Sequence, residues 1–315
     1  MRVLFAGTPE IAVSSLKALL FSNHQLCGVL TNPDRPRGRG RAPSPSPVKQ
    51  ALLDSGKPIP LLQFDHLKGE AREAVAALKP DLLAVFAFGR IFGPKFLALF
   101  SQGGINVHPS LLPLHRGPSP IPSAILSGDE KSGITIQRLA REMDRGAVLS
   151  RLVRDLDGRE TTASLSAWAA EEGAKLLVST IDALERGEFT EEEQDEVFAS
   201  YSEKIDADDS LIDWNLSAVQ IDRMVRAFNP WPRTRTTLEG KELLILDSFP
   251  LSAEKSLSAP GTIAGVDRKR GILVQTGDGL LAVVRLQLKT KRPLDFASFY
   301  NGNRDIAGKR LGGKE

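Results

Sequence analysis

The densest run of reactive side chains is Asn106-Val107-His108-Pro109-Ser110-Leu111-Leu112-Pro113. At the two-residue period of a strand, Asn106 and His108 point to one face. An amide donor beside an imidazole suits acyl transfer, where attack on a carbonyl carbon builds negative charge on its oxygen. Both side chains can donate to that oxygen, the imidazole when protonated. A carboxylate beside the ring would raise its pKa and select its tautomer. Asp144, in Glu142-Met143-Asp144-Arg145-Gly146, follows the next strand and is placed to supply it. Taken alone, Asn-x-His also reads as a structural histidine after a strand, and Asp144 as a turn residue.

The elements that must position these residues are legible as an alternation. Short apolar runs predict strands at Arg2 to Ala6, Gln25 to Thr31, Asp81 to Phe88, Gly104 to His108 and Gly133 to Leu139. Helical patterns lie between most of them. The first helix carries Ala12, Leu16, Leu19 and Leu20, with Thr8 expected as its cap and Pro9 in its first turn. This alternation predicts an α/β, Rossmann-like, mostly parallel sheet with helices on both faces. Sites on such sheets lie at the carboxyl ends of the strands, where Asn106 and His108 fall.

A long helix is expected over Ala163 to Leu184, and the acid-rich stretch Glu185 to Glu196 then suits an exposed linker. The second part differs. Ser217 and Gln220 form a capping box ahead of a stripe at Ala218, Ile221, Val225 and Phe228. Short β-like runs follow at Thr234 to Leu238, Leu243 to Leu246, Gly261 to Val266, Ile272 to Thr276 and Leu280 to Leu288. Gly277-Asp278-Gly279 is expected to turn the last two into a hairpin. Their spacing predicts a smaller OB-like β-barrel domain, a fold that often binds nucleic acid. The expected organisation is a catalytic domain over 1–190, a linker over 191–206 and the barrel over 207–315.

A chain of 315 residues is long for one core and agrees with two domains. The formal net charge of +2 says little about partners. The single cysteine, Cys27, rules out an internal disulfide and sits in an apolar run where a buried, inert thiol is expected. With no apolar run approaching the ~20 residues of a membrane span, the expectation is a cytoplasmic protein without membrane attachment; a monomer is expected, though nothing in the residues fixes the oligomeric state. No G-x-G-x-x-G follows the first strand, which argues against a nicotinamide cofactor. The four histidines, His24, His66, His108 and His115, lack metal-ligand spacing, so no metal is expected. His115 reads as a surface or pocket-rim residue.

The stretch Asn106 to Pro120 closely resembles the signature of formyltetrahydrofolate-dependent formyltransferases, and Gly133-Ile134-Thr135-Ile136 and Met143-Asp144-Arg145-Gly146 fit at the expected distance. The resemblance implies that Asn106, His108 and Asp144 form the catalytic triad. It implies that Ser110, Leu111, Leu112 and Pro113 line the site of the co-substrate 10-formyltetrahydrofolate. The loop containing Phe86, Phe88, Gly89 and Ile91 looks like the segment whose backbone receives the pterin. Further strings, among them Phe5-Ala6-Gly7-Thr8-Pro9-Glu10, Ile212-Asp213-Trp214 and Arg226 to Pro232, are similar to the members that formylate the methionine of an initiator methionyl-tRNA. Pro109 stands where many members carry Gly, and Ala147 where an Asp commonly follows the Gly.

Between Asp34 and Gln50 stand five cations, Arg35, Arg37, Arg39, Arg41 and Lys49, among glycines and prolines. Such a segment reads either as a solvated loop or as a grip for RNA phosphates beside the site. The resemblance implies the second, with Arg39 in the matching Gly-Arg-Gly. Lys289, Lys291 and Arg292 would add phosphate contacts from the barrel. A small-molecule acceptor, or a catalytically idle folate- or tRNA-binding protein, are the competing readings.

Overall fold

A computed structural model describes residues 1–36, 43–254 and 256–314. Arg37, Arg39 and Arg41 lie outside the described residues. The chain divides into two compact units. The first comprises Met1–Pro120, Lys131–Asp155 and Leu165–Glu203; the second comprises Ile121–Glu130, Leu156–Ser164 and Lys204–Glu315. No described helix is long and apolar enough to cross a membrane.

The first unit is built on seven strands: β1 Arg2–Gly7, β2 Gln25–Leu30, β3 Leu61–Leu62, β4 Leu82–Phe86, β5 Gly104–His108, β6 Lys131–Arg138 and β7 Val148–Asp155. Their order is β3-β2-β1-β4-β5-β6-β7. The first five pair in parallel, and β6 runs antiparallel to both neighbours. Strand order reverses at β1 and β4, so loops after these strands diverge and leave a crevice. Helices α1 Val13–Leu20, α2 Pro47–Asp54, α3 Glu70–Ala77 and α4 Pro94–Leu97 fall between strands. Ser46 caps α2 by accepting from the Lys49 amide, with Pro47 in the first turn.

One face of the sheet buries Leu4, Ala6, Leu83 and Val85 against Val75, Phe88, Phe92, Phe96 and Phe100. On the other face a later helix, numbered after Pro120–Ser127 (α5), is α6, Thr162–Arg186. Gly173 brings α6 close to the sheet, since a Cβ there would meet Val107 Cγ1 at 3.2 Å. Cys27 is buried and its thiol donates to the Val3 carbonyl. Burial pushes that thiol up from its ordinary range.

Two local expectations differ from the structure. Thr8 does not cap a helix; Pro9 precedes a short 3-10 turn without a side-chain cap. The Thr8 hydroxyl instead accepts from Asn32 Nδ2 at 3.0 Å, joining the ends of β1 and β2. The acid-rich segment after α6 is not a free linker. Glu192 forms a β-bridge with Val148, and Gln194 is buried within the first unit.

The second unit has α7 Ala218–Ala227 and α8 Phe296–Asn301, with strands β8 Arg235–Leu238, β9 Lys241–Leu251, β10 Ile263–Asp267, β11 Gly271–Gln275, β12 Leu280–Leu288, β13 Leu294–Asp295 and β14 Leu311–Gly312. The antiparallel order is β10-β11-β12-β9-β8-β14, with β13 on β12. The sheet curls until its edges meet: Thr262 bridges Arg310, and Ile263 and Lys309 share a backbone hydrogen bond. Inside are Ile221, Val225, Ile245, Val274 and Leu281. Ser217 caps α7 in a reciprocal box with Gln220.

Candidate active site

A row of register partners carries the apolar face into polar chemistry. Ala6 pairs with Val85, Val85 with Asn106, and Asn106 with Gln137. Two pairs further along, and so on the same face, His108 lies opposite Thr135. Strand alternation turns Ile105 and Val107 to the far side, which leaves Asn106 and His108 on the near one. Asn106 is half-buried, and its amide makes no hydrogen bond with any described residue. It is therefore free to bind a ligand.

His108 is 4 % exposed. Its Nε2 lies 3.0 Å from the carbonyl of His115 and its Nδ1 3.6 Å from Asp144 Oδ1. Both neighbours are acceptors, and each favours a protonated ring nitrogen. Burial works the other way and dominates, pushing His108 below the ordinary histidine range, while Asp144 and the His115 carbonyl pull it back. The expectation that the carboxylate raises the ring's pKa is thus outweighed by desolvation in the free protein. His115 is buried, not at the surface, and adopts φ 55°. That turn delivers its carbonyl to His108.

Asp144 is held on all sides. Its Oδ1 accepts from Gln137 Nε2 at 2.9 Å and its Oδ2 from the Gly117 amide at 2.8 Å. Gly117 sits at φ 108°, and a Cβ there would lie 2.6 Å from the Ser202 carbonyl. Gly146 is equally constrained, because a Cβ would collide with the Arg138 carbonyl at 1.8 Å. These two glycines allow the loop carrying Asp144 to close onto β6.

Behind the loop stands a buried polar layer. Gln194 Nε2 donates to the carbonyls of Asp144 and Gly146, each at 2.8 Å. Its Oε1 accepts from Arg116 Nε and Nη2 at 3.0 and 2.9 Å. Arg116 is fully buried; it also pairs with Glu196 at 2.8 Å and donates to Tyr201. Arg116 and Arg145 together pull the Glu196 carboxyl down to about 2. Gln137, Arg116, Gln194 and Glu196 escaped the sequence reading as a group because they come from three separate stretches.

Thr135 does the same for Ser110 to Pro113. Its hydroxyl donates to the Ser110 carbonyl at 2.7 Å and accepts from the Leu112 amide at 3.1 Å. The Ser110 hydroxyl is spent on the Leu114 carbonyl, and Leu112 is buried. Leu111 and Pro113 are half-buried. Phe86 and Phe88 point into the core, so only their backbone is available to a ligand. Ala87 and Gly89, at φ 49° and 77°, turn that backbone outward, and Ile91 is exposed. The Phe88 carbonyl accepts from Asn32 Nδ2 at 2.7 Å. A cavity of about 540 Å³ opens there, lined among others by Thr8, Asn32, Arg35, Ser46, Gly89 and Arg90.

Arg35 is exposed in a two-residue strand paired with Pro43–Ser44. Lys289 is paired with Glu242 at 2.8 Å. Lys291 and Arg292 are exposed, and their side chains have no ion-pair partner among the described residues.

Two family models cover most of the chain: formyl transferase over residues 1–181, and its C-terminal domain over 204–304. A methionyl-tRNA formyltransferase of Treponema denticola is 42% identical over 97% of this chain and 98% of its own. The chain belongs to the methionyl-tRNA formyltransferase family. A second member, from Roseiflexus castenholzii, is 41% identical over 99% of both chains. Among solved structures, the sugar N-formyltransferase WlaRD aligns with TM-score 0.63 at 18% identity over 93% of this chain and 99% of its own. Aquifex aeolicus HypX, in complex with tetrahydrofolic acid, gives 0.62 at 18% identity over 98% of this chain and 48% of its own. These two likenesses concern the fold. Within this formyltransferase, Asn106, His108 and Asp144 are gathered at the carboxyl end of β5.

Proposed function

We propose that the protein transfers the formyl group of 10-formyltetrahydrofolate to the α-amine of methionine on initiator methionyl-tRNA, for translation initiation. The amine nitrogen attacks the formyl carbon. As the tetrahedral intermediate forms, its oxygen takes up negative charge. Asn106 donates to that oxygen. His108 donates the second hydrogen bond through Nδ1, which lies 3.6 Å from Asp144 and is not held by a hydrogen bond, while Nε2 stays on the His115 carbonyl. The growing negative charge raises the proton affinity of the ring, which offsets its burial. Asp144 then balances the imidazolium and accepts the proton lost by the amine, directly or through water. The carbon–N10 bond breaks as the proton taken from the amine passes from Asp144 to N10, directly or through water, and tetrahydrofolate and formylmethionyl-tRNA leave.

The observation that carries this reading is the hydrogen-bond-free Asn106 amide on one face with the His108–Asp144 pair. Ser110 to Pro113 and the backbone of Phe86, Phe88, Gly89 and Ile91 receive the carrier. Arg35, Arg37, Arg39 and Arg41, with Lys291 and Arg292, contact tRNA phosphates; Lys289 joins them by exchanging Glu242 for phosphate. Residues 1–190 act as catalytic domain, 191–206 as connecting segment and 207–315 as tRNA-binding domain, in a cytoplasmic monomer.

The test is formyl transfer to charged initiator methionyl-tRNA, with charged elongator methionyl-tRNA in parallel. Rapid product with the initiator and little with the elongator is expected. Folded protein that binds the folate yet formylates neither would overturn the acceptor assignment.

A further inference from the structure

Trp231 is 59 % exposed, on the segment of the second unit that joins α7 to β8. Of the other two tryptophans, Trp214 is buried and Trp168 half-buried. An indole left in water forgoes the stabilisation that burial would give it, so a large aromatic presented to solvent on a fixed loop points to something that covers it. This loop is fixed. Pro230 and Pro232 restrict the backbone on either side of Trp231. The Arg233 amide closes the loop by donating to the Phe228 carbonyl at 2.9 Å, and the Asn229 carbonyl accepts from the Ala163 amide at 3.2 Å. The ring therefore has little backbone freedom left to lose on binding.

The charges beside the ring indicate what covers it. Arg233 Nε donates to the Pro230 carbonyl at 3.3 Å, and its Nη1 donates to Gln287 Oε1 at 3.4 Å. Gln287 Nε2 in turn donates to the Lys291 carbonyl at 2.7 Å. These contacts tie the tryptophan loop to the turn that carries Lys291 and Arg292. Arg233, Lys291 and Arg292 are exposed, and none has an ion-pair partner among the described residues. An apolar patch of a protein would cover the indole and leave three cations without counter-charge. Double-helical RNA would meet the cations but offer the ring no open base, since its bases are stacked within the duplex. An unpaired nucleotide satisfies both, with a free π-face for the indole and phosphates for the cations. We propose that Trp231 stacks on an unpaired base of the tRNA, with Arg233, Lys291 and Arg292 on the flanking phosphates. The proposal rests on the tRNA reading above and adds to it a contact that carries no charge.

The experiment titrates charged initiator methionyl-tRNA, without the folate carrier, into the wild type, Trp231→Phe, Trp231→Ala and Arg233→Ala. Tryptophan emission and Kd are followed at several salt concentrations. Stacking quenches the exposed indole, so wild-type emission falls on binding and that fall is lost in Trp231→Phe. The phenylalanine keeps an aromatic face and binds within about threefold of the wild type, whereas Trp231→Ala weakens binding about tenfold or more. The slope of log Kd against log salt is unchanged in Trp231→Ala, which removes no charge, and falls by about one in Arg233→Ala. Thermal unfolding checks each variant, and the phenylalanine variant gives the fluorescence answer even if the alanine variant does not fold. A quench that persists in Trp231→Phe, or an alanine variant that binds like the wild type, overturns the stacking proposal while leaving the tRNA reading in place. Folded wild type that binds no tRNA at all refutes that reading and the stacking with it, a distinct result.

Discussion

Replacing Gln194 tests whether the buried layer behind Asp144 governs catalysis. Gln194→Leu keeps much of the volume and removes four short hydrogen bonds: two to the loop carbonyls of Asp144 and Gly146, two from Arg116. Bonds to the guanidinium are worth about 1.5–3 kcal/mol and those to neutral carbonyls about 1 kcal/mol each. Arg116 keeps Glu196 and Tyr201, and the two carbonyls regain part of their bonding from water. The net loss of stability is therefore about 3 kcal/mol, read as a shift of the urea midpoint at constant slope. Asp144 retains Gln137 and the Gly117 amide, so the catalytic cost is a looser loop. A small misplacement of a positioned group costs about ten- to a hundredfold in kcat. Gln194→Glu separates the two halves of the clamp: it still accepts from Arg116, yet cannot donate to the loop. It should recover part of the stability and little of the rate. Single-turnover formyl transfer with saturating substrates gives the rate. If Gln194→Leu reacts like the wild type and unfolds within about 0.5 kcal/mol of it, the typical range of an unimportant surface change, the clamp has no role.

Asn106→Ala and His108→Ala should each lower kcat by about a hundredfold or more, the usual cost of an oxyanion donor, with the protein still folded by circular dichroism. His108 also predicts a pH dependence of stability. Its folded pKa lies below the ordinary 6.5, so the unfolded chain binds more protons between that lower value and 6.5. Stability should fall as pH drops through 6.5, and His108→Gln should flatten this fall in a series of melting curves. A curve equally steep in the variant would place the titration elsewhere. Arg35→Ala, Lys291→Ala and Arg292→Ala should each raise KM for tRNA and reduce the salt dependence of log KM by about one unit of slope for each phosphate the side chain neutralises. An unchanged salt slope would remove that side chain from the interface.

Five of the seven strands of the first sheet, the polar cluster at the end of β5 and the capping box of α7 were legible in the chain, whereas β3, two residues long, and β7, an edge strand of alternating exposure, were not. Each legible feature is a local matter of spacing, where periodicity and turn chemistry act on neighbours in sequence. Strand limits shifted by a few residues: the run expected over Asp81 to Phe88 is Leu82–Phe86, because Ala87 turns out at positive φ. Residues 192–202 were unreadable as part of the site. Their acid-rich composition describes a solvated segment, yet Gln194 is drawn inward by Arg116, 78 positions away, and Glu196 pairs with the same guanidinium from the surface, 80 positions away. The protonation of His108 was undecidable as well, since spacing shows its charged neighbour and says nothing of burial, and burial proved the larger effect. The sequence by itself determined which side chains share a strand face and which turns they end in. Only the tertiary structure decided what surrounds them, because desolvation and hydrogen-bond partners depend on groups brought together across the chain.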